Sequence, residues 1–146
     1  MNAVAAPAVV HVSRVIAASP QVLFEAWLDP ASLSKWMRPF ETSQTDATVD
    51  ARVGGRFALD MHTPGGLVEH RGEYVAIEPH TRLVFTWDSP HTEGASLVTV
   101  TFVPQGDRTQ VNVLHEKLPA NKIEAHTGGW TSGLEKLDAF FCGGRA

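Results

Sequence analysis

Gly128-Gly129-Trp130-Thr131-Ser132-Gly133-Leu134-Glu135-Lys136-Leu137-Asp138-Ala139-Phe140-Phe141 is the stretch on which the fold turns. Trp130, Leu134, Leu137 and Phe141 follow one another at steps of 4, 3 and 4. That spacing gives a helix one apolar face, which needs a large partner surface. Ile123 extends the stripe backwards, so one long helix is expected from Ala120 to Phe141, after Pro119 closes the preceding region. Gly128, Gly129 and Gly133 lie in or beside the stripe, although each weakens a helix by roughly 1 kcal/mol relative to Ala. They are expected to mark a close backbone approach or a kinked start.

The partner surface is written upstream, where the pattern changes from helical to period-2 spacing. From about Thr45 to Lys117 the chain reads almost wholly as strand. Phe57, Leu59 and Met61 alternate with smaller or polar residues, as do Leu83, Phe85 and Trp87, then Val98, Val100 and Phe102, and finally Val111, Val113 and His115. Alternation of this kind marks strands with one buried face. Thr63-Pro64-Gly65-Gly66, Glu78-Pro79-His80-Thr81, Ser89 to Ala95 and Gln105-Gly106-Asp107-Arg108 are the turns between them. Successive hairpins predict one antiparallel meander rather than a parallel sheet. The return strand after the first turn is expected over Leu67 to Ile77.

Ahead of the sheet, Val10, Val12 and Val15-Ile16 form an imperfect first strand. Ser19-Pro20 and Asp29-Pro30 each pair an N-capping side chain with a proline suited to the first helical position. They predict a helix carrying Leu23, Phe24, Trp27 and Leu28, and a second, short helix from Ala31 to Trp36. The fold class is therefore α+β: a curved antiparallel sheet wrapped around a long C-terminal helix, with two short helices after the first strand. A single domain is expected over residues 9–142, with 1–8 as a disordered lead.

Composition excludes several classes of function. Of the 146 residues, 43% are hydrophobic and 19% charged, a globular balance, and the formal net charge is -4. A nucleic-acid partner, which needs clustered Lys and Arg, is not expected. No stretch approaches the roughly 20 apolar residues of a membrane span, and Met1 to Ala8 is too short for a signal-peptide core. With Cys142 the one cysteine, no intramolecular disulfide can form. A cytoplasmic location is expected.

Ser19-Pro20, Trp27-Leu28-Asp29-Pro30, Trp36, Val53-Gly54-Gly55-Arg56-Phe57, Gly72-Glu73-Tyr74, Arg82 to Trp87, Val98 to Phe102, His115-Glu116, Gly129-Trp130 and Leu134 to Leu137 occur in a specific order. Together they resemble the family of homologues of the activator of heat-shock protein 90 ATPase, within the START-like, or SRPBCC, superfamily. The resemblance covers about Val10 to Phe141. It implies a helix-grip fold with a cavity between the sheet and the C-terminal helix. It also implies roles that range from binding lipids or hormones to polyketide cyclisation and co-chaperone activity.

The residues expected to line such a cavity are Trp36, Phe57, Leu59, Met61, Tyr74, Phe85, Trp87, Val100, Phe102, Val113, His115, Trp130 and Leu134. Apolar walls with a few placed polar groups are the usual form of a small-molecule site. Here His115 and Tyr74 are the expected polar points, and the plain alternative is that the aromatic residues simply fill the core. His115 shares a strand face with Val111 and Val113. It either orients a ligand or moves protons, or it is a buried histidine satisfied by its neighbours.

Other chemistry has little support. The seven histidines fall in no ligand spacing, so no metal is expected. No phosphate loop and no Gly-x-Ser-x-Gly elbow occur, and Ser96 and Thr99 are read as facing away from the inward Val and Phe positions. Glu69 with Glu73 and Glu135 with Asp138 read as solvated surface. The expectation is thus a binder of a small apolar or aromatic ligand that needs no cofactor, with a homodimer left open. The alternatives are a cofactor-independent cyclase or dehydratase using His115 and Tyr74, and a module whose partner is a chaperone.

Overall fold

The computed structural model describes residues 9–143; the lead expected at 1–8 lies outside them. Strand β1 (Val10–Ile16) is followed by helices α1 (Pro20–Ala26) and α2 (Pro30–Trp36). Then come β2 (Gln44–Val49), β3 (Arg56–Thr63), β4 (Gly66–Glu78), β5 (Arg82–Trp87), β6 (Ser96–Gln105) and β7 (Arg108–Glu116). A 3₁₀ turn at Ala120–Lys122 leads into α3 (Ile123–Gly143). The caps form as the sequence predicts: Ser19 Oγ accepts the Val22 N–H at 3.2 Å, and the Asp29 carboxylate accepts from Ala31 N–H and Ser32 Oγ.

The strands make one seven-stranded antiparallel sheet in the order β1-β7-β6-β5-β4-β3-β2. The meander is continuous from β2 to β7, and β1 joins it on the far edge beside β7, with Val12 opposite Val113. The bend that makes the sheet grip a helix lies in β4, which is 13 residues long. Its first part, Gly66 to Glu73, pairs with β3; from Tyr74 onward it pairs with β5, through a register shift between Tyr74 and Ala76. A shift of this kind bends and twists the strand that carries it.

Gly72 lies at that bend for a steric reason. A Cβ there would sit 2.1 Å from the Thr86 carbonyl and 2.2 Å from Phe57 Cζ, so the Phe57 ring crosses β4 only over a residue without a side chain. Thus two of the recognised motifs, Gly54-Gly55-Arg56-Phe57 and Gly72-Glu73-Tyr74, meet in one contact. The core collects the inward faces of β3, β5, β6 and β7 against Trp130, Leu134 and Leu137 of α3, all buried. The architecture is the helix-grip fold. Helix α3 follows its 3₁₀ start as one segment, so the glycines express the close approach described below. Among the described residues, no helix is long and apolar enough to cross a membrane.

Candidate functional site

His115, fully buried on β7, ties the sheet to α3. Trp130 Nε1–H donates to His115 Nδ1 at 2.9 Å. An indole nitrogen can only donate, so Nδ1 is bare and the ring proton of the neutral histidine sits on Nε2. Nε2–H then donates to Ser96 Oγ at 2.6 Å, and the Ser96 hydroxyl donates to the Trp87 carbonyl at 2.6 Å. Burial, and secondarily the nearby His126, pushes His115 down to about 3, so the neutral form holds at physiological pH. Both ring nitrogens are spent, and no proton is left to exchange with a substrate.

Ser96 corrects the sequence expectation. It faces inward and is 1% exposed, because it shares parity with Val98, Val100 and Phe102 on β6. The signal was the same period-2 count that found those residues, carried one step further back to the start of the strand.

Beside this chain of bonds lies a cavity of about 390 Å³, between the inner face of the sheet, the segment after α2 and the first turns of α3. Trp87 and Trp130, with ring centroids 5.1 Å apart, form its aromatic wall. Met61 of β3 and Val68 and His70 of β4 line the sheet side. Met37, Pro39, Phe40 and Thr42 line the loop side, and Lys122, His126 and Gly129 the helix side. His91, exposed, stands in the turn before β6.

The loop wall is fixed by α3. Phe40 has φ +56° and is 60% exposed, yet its N–H donates to Ser132 Oγ at 2.8 Å. Lys136 Nζ donates to the carbonyls of Arg38 and Phe40 at 2.6 and 3.1 Å. A Cβ on Gly128 would come within 3.1 Å of Phe40 Cζ. The bare helix surface at Gly128-Gly129 is what admits this ring beside the cavity.

Of the candidate lining residues, Met61, Trp87 and Trp130 border the cavity. Trp36, Phe57, Leu59, Tyr74, Phe85, Val100, Phe102, Val113, His115 and Leu134 are buried among one another, away from the opening. Trp36, for example, donates its indole N–H to the Ala26 carbonyl at 3.1 Å and packs on Trp27. Tyr74 lies between Phe57 and Phe85, and burial, then the Asp50 charge, pushes its hydroxyl above the ordinary tyrosine range. These side chains fill the space under the curved sheet that the sequence reading left for a ligand.

The buried or half-buried histidines of the cavity are His70 and His126, and neither His115 nor Tyr74 borders it. His126 lies one helical turn before Trp130, and its Nδ1–H donates to the Lys122 carbonyl at 2.9 Å. Burial lowers its pKa, against the pull of that bond. His70 is 8% exposed, its ring 4.8 Å from that of Trp87, and burial pushes it down to about 4. Parity with Tyr74 on β4, and the four-residue step to Trp130 on α3, would have found both. Among the described residues, no three His, Cys, Asp or Glu side chains are grouped as metal ligands. Glu73 and Asp138 sit at surface ion pairs with Arg56 and Arg14.

The chain is similar in structure to protein CV1439 from Chromobacterium violaceum, at 26% identity and TM-score 0.81, over 91% of this chain and 96% of that one. It is also similar to PFC0360w, an HSP90 activator from Plasmodium falciparum, at 24% identity and TM-score 0.74, over 91% and 95%. DynU16, described as a protein in the dynemicin biosynthetic locus, matches at 19% identity and TM-score 0.79, over 94% of this chain and 48% of its own. No curated protein matches the chain. The family model of the Activator of Hsp90 ATPase homolog 1-like proteins matches residues 17–141, nearly the whole described fold, and the chain belongs to that family.

Proposed function

We propose that this protein binds a small apolar or aromatic molecule in the cavity beside Trp87 and Trp130. The observation that carries the reading is the space itself. A sheet and helix packed tightly enough to bury Phe57, Phe85, Phe102 and Leu134 still leave about 390 Å³ against two indole rings. That volume is within the range of small-molecule sites, and its wall is mostly carbon with a few polar side chains. The occurrence of DynU16 in a biosynthetic locus is in keeping with a small-molecule role. The likeness to the Plasmodium activator supports the same fold and takes its partner no further.

The geometry favours binding over catalysis by the groups first suspected, since His115 is saturated with hydrogen bonds and Tyr74 lies outside the cavity. The test is a titration with naphthalene, followed by tryptophan fluorescence. Saturable quenching is expected in the wild type and its loss in Met61→Trp, which fills the cavity from β3. Quenching that never saturates, or that is unchanged in Met61→Trp, would refute the reading.

A further inference from the structure

His70 is a deeply buried polar side chain on the cavity wall. Its Nδ1 is sealed from solvent without a partner. A buried polar group left in this state is rare, and each instance calls for an explanation. With Nδ1 sealed on the strand side, the ring edge that borders the cavity carries Nε2. The carbonyls of Leu59 and Val68 lie near the ring without completing a hydrogen bond to Nδ1; they favour the ring proton on the strand side, and burial keeps the ring neutral. Nε2 is then a bare acceptor beside the Trp87 ring.

Building on the cavity reading above, we infer that the ligand is an aromatic molecule with a hydrogen-bond donor, such as a phenolic hydroxyl, on the edge that meets β4, and that His70 Nε2 accepts from it. His126 and His91 share the cavity but differ in kind. His126 is already tied to the Lys122 carbonyl, and His91 is exposed to water. A phenylalanine at position 70 would suit the surroundings of Met61, Val68 and Trp87 and would leave no nitrogen unpaired. Histidine there serves recognition at some expense to the fold.

The test compares 2-naphthol with 2-methoxynaphthalene, closely matched rings of which only the first has a hydroxyl to donate. Both are titrated by calorimetry into the wild type and into His70→Phe. The wild type is expected to prefer 2-naphthol by about three- to tenfold, the worth of one hydrogen bond. In His70→Phe the preference for 2-naphthol over 2-methoxynaphthalene vanishes, and the thermal midpoint is unchanged or higher. Equal binding of the two compounds by the wild type, or a preference that survives His70→Phe, overturns the inference and leaves the cavity reading standing. Binding of neither compound by the wild type removes both.

Discussion

Trp130 donates its indole N–H to Nδ1 of His115, and this contact between α3 and β7 decides where the histidine's proton sits. Everything downstream follows from it: Nε2 must carry the hydrogen, Ser96 must receive it, and the Ser96 hydroxyl must turn to the Trp87 carbonyl. One relay thus ties the Trp130 indole, through His115 and Ser96, to the Trp87 backbone.

Ser96→Ala breaks the relay at its middle and strands Nε2–H in a buried site. A buried donor left without a partner costs about 1–3 kcal/mol. Urea unfolding should show a loss of that size with an unchanged m-value. Affinity for naphthalene should fall less in His115→Ala than in Trp130→Ala, because His115 supports the wall while Trp130 forms it. The reverse order would mean that His115 meets the ligand directly.

The pH dependence of stability has a definite sign. His70 and His115 are held at about 4 and about 3 in the folded state, against 6.5 for the free side chain. Between these values the unfolded chain binds protons that the folded chain does not, so stability falls as pH falls below about 6.5. Each histidine contributes a slope of up to about 1.4 kcal/mol per pH unit. His70→Phe removes one contribution, so its stability should exceed that of the wild type by a growing margin from pH 6.5 down to pH 4. Parallel curves would show that His70 is not buried as a neutral ring.

The fold was legible because its signals are local. The helix stripe through Trp130, Leu134 and Leu137, and the alternation on β3, β5, β6 and β7, are counts along the chain that packing preserves. The cavity was less legible, because whether an inward aromatic residue lines a space or fills it depends on rotamers and on the sheet bend. Phe85 and Trp87 share one face of β5, yet only Trp87 borders the cavity. His70 was missed for a different reason. On the inward face of β4 it stands between Val68 and Gly72, and a histidine beside a glycine does not continue the apolar alternation that marked the other strands.

Gly72→Ala tests the close contact between β4, the Phe57 ring and β5 beside the bend. The added methyl would overlap the Thr86 carbonyl and the Phe57 ring, neither of which can withdraw without moving β5 or β3. Overpacking of this kind costs about 1–3 kcal/mol or more. Unfolding free energies should show at least that loss. A neutral substitution would show that the Phe57 ring and β5 can withdraw from the added methyl.

On α3 the same change should have the opposite sign. A methyl at Gly133 meets nothing within 4 Å outside its own helix backbone, so Gly133→Ala should gain up to about 1 kcal/mol from helix propensity alone. At Gly128 the methyl would stand 3.1 Å from Phe40 Cζ. Phe40 is largely exposed, so its ring can give way by a few tenths of an ångström, but the loop it belongs to is held by Ser132 and Lys136. Gly128→Ala should therefore gain less than Gly133→Ala in urea unfolding and should shift the Phe40 ring resonances. Equal gains with unmoved Phe40 signals would mean that the glycine surface of α3 is not what seats this wall of the cavity.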